Sequence, residues 1–260
     1  MLAEELIAVH ESARTIAPFT DREPALTPAE AYQAAAALHA SRLKAGWRPV
    51  GRKIGFTNRT IWARYGVYEP IWGTVYDRTL AADASAFPLR GLVQPRIEPE
   101  ICFGLKAAPR SAAIEDLLEA IEWVAHSIEI VQCHHPEWKV KLADCCADNG
   151  LHGRLFVGPR MPIAKLKNLE NDLPQVEIVL RKAGREVDRG TGANVLGSPL
   201  TALGYFVDVL RKQPGAPPLA AGELVSTGTL TDAHPVAPGE TWSTEIRGLG
   251  LDGVTIRFVD

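Results

Sequence analysis

The spacing of apolar positions changes character once along the chain, near Gly46. Before it, Leu2, Leu6, Val9, Ala13 and Ile16 recur at helical intervals and predict an amphipathic helix. A second helix has a marked start. Thr27 is placed to cap, Pro28 suits the first turn, and Glu30 stands where a capping box needs its acid. Alanine-rich sequence follows as far as Lys44, and Gly46 is a natural stop.

Beyond Gly46, short β-like runs alternate with Gly and Pro, at residues 93–103, 125–131, 154–157, 176–181 and 254–259. Ala183-Gly184 is placed as a hairpin turn after the fourth run. Two further helices are expected. One covers residues 111–123; the other starts at Ser198-Pro199, a cap followed by proline, and ends before Pro214. Residues 213–221, rich in Pro and Ala, read as a surface loop. Strands do not alternate regularly with helices, so an α+β fold is expected rather than a doubly wound parallel sheet. Residues 1–46 form a helical region and residues 47–260 a strand-rich catalytic unit, with no internal repeat.

Composition narrows the function classes. The chain has 260 residues, 46% of them apolar, enough for one sizeable core. A net charge of −3 without a long basic run argues against nucleic-acid binding. No apolar stretch approaches the ~20 residues that span a bilayer. Glu4, Glu5 and Glu11 are foreign to a secretory signal, so a cytoplasmic location is expected. Cys102, Cys133, Cys145 and Cys146 have neither a disulfide-framework nor a zinc-site spacing and read as buried thiols. No G-x-G-x-x-G follows a first strand, and no Walker loop or G-x-S-x-G elbow is present. His126 and His134-His135 invite a zinc reading, but adjacent histidines on an extended chain point apart.

One segment carries candidate chemistry. In an extended chain, Gln94, Arg96, Glu98 and Glu100 share a face, with Ile97, Pro99 and Ile101 opposite. Pro95 and Pro99 remove ladder donors, which predicts an edge or irregular strand. Glu129 lies between Ile128 and Ile130 in a second short strand and is a third embedded carboxylate. Three converging carboxylates would suit Mg²⁺ or Mn²⁺. On spacing alone, surface ion pairs with Arg96 or other bases explain them better.

Several ordered motifs carry a resemblance. They are Gly51-Arg52-Lys53-Ile54-Gly55-Phe56-Thr57, Gln94-Pro95-Arg96-Ile97-Glu98-Pro99-Glu100-Ile101, Ser127-Ile128-Glu129-Ile130-Val131, Ala147-Asp148-Asn149, Val195-Leu196-Gly197-Ser198-Pro199-Leu200, and Gly222-Glu223 with the strand turn at 226–230. Together they resemble the 2-keto-4-pentenoate hydratase and 4-oxalocrotonate decarboxylase family, within the fumarylacetoacetate hydrolase superfamily. The resemblance runs from Gly51 to the end and extends more weakly through the N-terminal helices. It implies a mixed β-sheet roll preceded by helices, with Glu98, Glu100 and Glu129 on Mg²⁺ or Mn²⁺ and Lys53 and Asp77 as catalytic groups. Gln94, Asn149, His152 and Thr229 are the candidate substrate contacts. The chain departs from the family pattern at Asn58 and at Gly150-Leu151-His152-Gly153.

The implied substrates are linear 2-oxo or 2-hydroxydienoate acids from meta-cleavage of aromatic rings. Hydration of a 2-hydroxy-2,4-dienoate to a 4-hydroxy-2-oxo acid leads. Decarboxylation of a 2-oxo-3-enedioate is the alternative, followed by fumarylacetoacetate-type C–C hydrolysis, whose histidine has no evident position in the sequence. A homo-oligomer is implied, as is a possible complex with a sister hydratase or decarboxylase, in which the chain would be a non-catalytic partner. A metal beside Lys53 would disfavour its ammonium, so its pKa is expected to fall towards neutrality.

Overall fold

The computed structural model describes residues 2–59, 62 and 68–260. Helix α1 (Leu2–Ser12) buries Leu6 and Val9, and Ala13 at φ 49° ends it. Ile16 therefore lies past the helix, where it packs against the N-terminal core. A single turn, α2 (Phe19–Arg22), was not expected from the pattern; Thr20 ties it down through its N–H and hydroxyl to Asp144. Helix α3 (Pro28–Lys44) has the expected capping box between Thr27 and Glu30, and Gly46 follows at φ 78°. α3 packs on α5 (Leu142–Ala147), which follows α4 (Ile114–Ala120) in the chain.

Two sheets form the body. The larger has eight strands, six of them in the order β2 (Ile71–Tyr76), β1 (Pro49–Gly55), β10 (Leu224–Thr229), β4 (Arg96–Leu105), β5 (Ile121–Val131) and β6 (His152–Val157). The short strands β7 (Met161–Pro162) and β11 (His234–Pro235) pair with β5 and β4. The smaller sheet runs β3 (Phe87–Pro88), β13 (Thr255–Val259), β12 (Thr241–Arg247), β8 (Glu177–Lys182) and β9 (Arg185–Thr191). β1 pairs with β10, and β3 with β13, in parallel; the other pairings are antiparallel, so the sheets are mixed. Ala183 and Gly184, at φ 49° and 78°, make the β8–β9 turn with the two left-handed residues that a type I′ hairpin needs.

The helix expected over residues 111–123 stops at Ala120, and Ile121 already begins β5, with a bulge at Glu122. Trp123 pairs with Gly104, and a Cβ on that glycine would stand 1.9 Å from the indole. Helix α7 (Pro199–Lys212) follows the shorter helix α6 (Leu169–Asp172) and is capped by Ser198, whose hydroxyl accepts from Leu200 N–H. The stretch Gly192–Lys212 is long and apolar enough to cross a membrane, but 67% of it is buried inside the fold, as in a core helix.

Of the edge or irregular strand expected here, the edge is overturned and the irregularity is found. β4 is an interior strand, flanked by β10 and β5. Pro99 is tolerated because its missing N–H faces β10 where the ladder is already broken. The register shifts between Ser226 and Thr229, and Pro99 contributes only its carbonyl, to Leu230 N–H.

Candidate active site

That bulge shapes the site. Gly228 sits at φ 106°, and its N–H turns out of the ladder to donate to Glu100 Oε2 at 2.9 Å. Ser226 Oγ donates to the same oxygen at 2.5 Å. A Cβ on Gly228 would stand 1.9 Å from Thr57 Oγ1, so only glycine fits there. On β4, Glu98 and Glu100 share a face as the alternation requires, and Glu129 on β5 stands directly opposite Glu98. Like charges in direct register repel. The three carboxylates nevertheless place ligand oxygens within 4.8 Å of one another.

Two of those oxygens, Glu100 Oε1 and Glu129 Oε2, are buried without a hydrogen-bond partner. Lys53 Nζ, also buried, lies 3.3 Å from Glu129 Oε2 and donates to the Gly150 carbonyl at 3.0 Å. One ammonium cannot neutralise three carboxylates. Hard, orphaned oxygens around an uncompensated negative charge fit a divalent cation of the Mg²⁺ or Mn²⁺ type. Without it, burial pushes Glu100 up to about 8, reinforced by Glu129, and burial shifts Glu98 upward too. Without a cation, Lys53 keeps its charge. Burial disfavours its charge, but Glu129, Glu98 and Glu100 outweigh burial and raise it.

This sets a pH signature. At pH 7 the metal-free carboxylates hold a proton that a cation must displace. Mn²⁺ affinity is therefore expected to rise with pH up to about 8, the value to which Glu100 is pushed, and then to level off. The calorimetric heat at pH 7 should scale with the ionisation enthalpy of the buffer. A pH-flat affinity with buffer-independent heat would contradict this.

Beside the carboxylates lies a cavity of about 160 Å³, lined by Lys53, Glu98, Arg96, Thr229 and apolar side chains that include Phe56, Ile71, Val131 and Leu151. Arg96 was not singled out in the sequence; its guanidinium lies 4.3 Å over the Trp138 ring at the cavity wall. Thr229 is present, although its hydroxyl also closes a turn with Thr231.

Other candidates are placed elsewhere. Asp77 is bound to the Arg48 N–H and guanidinium at the far end of β2 and does not reach Lys53. Gln94 leaves the strand alternation at φ 50°; its amide donates to the carbonyls of Cys133 and His135 and accepts from Glu137 N–H, so it pins a loop. Asn149 makes a reciprocal pair with Thr74 N–H and C=O. That turn instead serves the site through the Gly150 carbonyl. His152 is fully buried and reaches Glu129, not the cavity. The histidines of the zinc reading divide between two settings, one of which, His134 with His10 and Asp148, has ligand atoms close enough to hold a metal ion. His126 bridges the Glu100 carbonyl and Thr244, and Asp148 stands 2.8 Å from both His134 Nδ1 and His10 Nε2. All four cysteines are free and buried.

Comparison with known proteins follows the same lines. Residues 75–256 match the family model described as fumarylacetoacetate (FAA) hydrolase C-terminal. The chain belongs to the fumarylacetoacetate hydrolase family. Within that family it is 34% identical to a 2-hydroxyhexa-2,4-dienoate hydratase from Comamonas testosteroni, over 99% of this chain and 96% of the relative. It is 32% identical to a 4-oxalocrotonate decarboxylase from Pseudomonas putida, over 99% and 96%. A solved structure of 4-oxalocrotonate decarboxylase from Pseudomonas putida G7, complexed with magnesium and adipate, superposes with a TM-score of 0.91 at 29% identity, covering 99% of this chain and 96% of that one. The fumarylacetoacetate hydrolase fold expected from the motifs, mixed sheets preceded by helices, is the one observed.

Proposed function

We propose that the protein is a metal-dependent hydratase that adds water to a 2-hydroxy-2,4-dienoate to give a 4-hydroxy-2-oxo acid. The observation that carries this reading is the orphaned pair of buried oxygens on Glu100 and Glu129 beside the Lys53 ammonium. Similarity to a dienoate hydratase along nearly the whole chain supports the substrate class. Glu98, Glu100 and Glu129 would hold Mg²⁺ or Mn²⁺, and the bound cation would stabilise negative charge developing on the substrate's 2-oxygen.

The remaining work falls to the chain's own groups. Ketonisation of the dienol breaks the 2-hydroxyl O–H bond and forms a C–H bond at C5, with no net gain of protons. Water then adds at C4 and gives up one proton, and C3 takes up one proton in exchange. Lys53 is the group placed for these transfers: its Nζ is buried at the cavity beside Glu129, and a cation on the glutamates would weaken their hold on its proton. Arg96, at the cavity wall, offers a planar guanidinium to a substrate carboxylate. The apolar wall of Ile71, Val131 and Leu151 excludes bulk water from the diene.

Decarboxylation of a 2-oxo-3-enedioate is the second reading. The decarboxylase similarity and Arg96, a cation available for a second carboxylate, both favour it. The two readings separate in one assay. Protein incubated with 2-hydroxypenta-2,4-dienoate is expected to consume the diene absorbance without releasing CO₂, and EDTA should abolish that activity until Mg²⁺ or Mn²⁺ is restored. CO₂ release from 2-oxohex-3-enedioate at a higher kcat/KM would transfer the assignment to the decarboxylase. We further propose a cytoplasmic homo-oligomer, which sedimentation of the purified protein tests.

A further inference from the structure

The start of β6 contributes a side chain that never touches the cavity yet grips its chemistry. His152 Nδ1 lies 2.8 Å from Glu129 Oε1, and His152 Nε2 lies 2.8 Å from Thr79 Oγ1. The ring is 1% exposed, so neither contact competes with water. A neutral ring carrying its hydrogen on Nδ1 donates to the carboxylate, and its Nε2 shares the single Thr79 hydroxyl hydrogen with the Tyr76 carbonyl, 3.0 Å from Oγ1. Thr79 is itself fixed, because its Oγ1 accepts from Tyr76 N–H.

Glu129 needs such a hold. It faces Glu98 across the β4–β5 ladder, and repulsion between them favours turning one carboxylate away. Engagement of Oε1 by His152 leaves Oε2, the atom without a hydrogen-bond partner, as the oxygen presented beside Lys53. We propose that His152 is a positioning residue that pre-orients Glu129 for a divalent cation, through the rigid relay Thr79–His152–Glu129. The proposal rests on the metal reading of the three glutamates. It also gives the only histidine–glutamate pair at this site among the described residues a supporting role. With both ring nitrogens engaged and no cavity contact, the pair is not arranged to activate water.

Titration of metal-free protein with Mn²⁺ by calorimetry tests the proposal without any substrate. His152→Ala is expected to bind Mn²⁺ about 10–100-fold more weakly than the wild type, the usual cost of losing a partner that orients a ligand. His152→Asn places an amide N–H where Nδ1 stood and should recover most of that affinity. His152→Gln places its amide near Nε2, towards Thr79, and should not recover it. Melting curves of the metal-free variants identify those that fold. If the wild type binds no Mn²⁺, the metal reading itself fails and takes this proposal with it. If the wild type binds and His152→Ala binds equally well, the role of His152 alone is overturned. Equal losses in folded Ala, Asn and Gln variants would also overturn it, by marking a packing role.

Discussion

Glu100→Gln is expected to abolish detectable Mn²⁺ binding and to lower kcat by at least about 10²-fold, the scale on which removing a preorganised electrostatic partner acts. The same change should leave the metal-free protein at least as stable as the wild type. The glutamine carbonyl can still accept from Ser226 and Gly228, while one of three crowded carboxylates is gone. Activity and stability would then move in opposite directions, as they do where a site is held under strain for function. Calorimetry with Mn²⁺, a melting curve and a turnover assay check the three parts. A variant that melts well below the wild type while still binding Mn²⁺ would show that Glu100 is structural.

Lys53→Met should lower kcat by about 10²–10⁴-fold, the range for losing a positioned proton donor. Its metal affinity should hold or rise, because the ammonium 3.3 Å from Glu129 competes with any cation there. Lys53→Arg is not expected to rescue turnover, since guanidinium keeps its proton and fills more space. Rate constants and Mn²⁺ dissociation constants measured on the same preparations decide the matter. Loss of metal binding in parallel with loss of rate would recast Lys53 as part of the fold.

The sequence disclosed local devices well where a single turn of chain contains the whole cause. The Thr27–Glu30 capping box, the Ser198 cap and the Ala183-Gly184 hairpin each depend on residues within a few positions. The three glutamates were legible through alternation, which put two of them on one face. Their convergence with Glu129 depended on strand register, which spacing does not contain. The strand's interior place was hidden for a related reason. A proline argues for an edge until the neighbouring strand is seen to bulge opposite it.

The substrate contacts were harder. Gln94 and Asn149 are polar residues inside telling motifs, and both are consumed by backbone hydrogen bonds made to distant segments. Asp77 looked available because Arg48, its partner, lies 29 positions earlier in the chain. Arg96 was legible only as an ion-pair partner for the two glutamates on its face. Its setting over Trp138 brings together residues on separate segments.

The family model begins at residue 75, so it spans the three glutamates but not Lys53. The lysine comes from β1, and the carbonyl that steadies it follows Asp148, which stands within 2.8 Å of His10 on the first helix. The buried lysine therefore comes from outside the matched segment, while the carbonyl it donates to and the glutamates it faces lie within it. A substitution at His10 on the first helix would therefore be felt at the lysine through two contacts, Asp148 and the turn that carries Gly150.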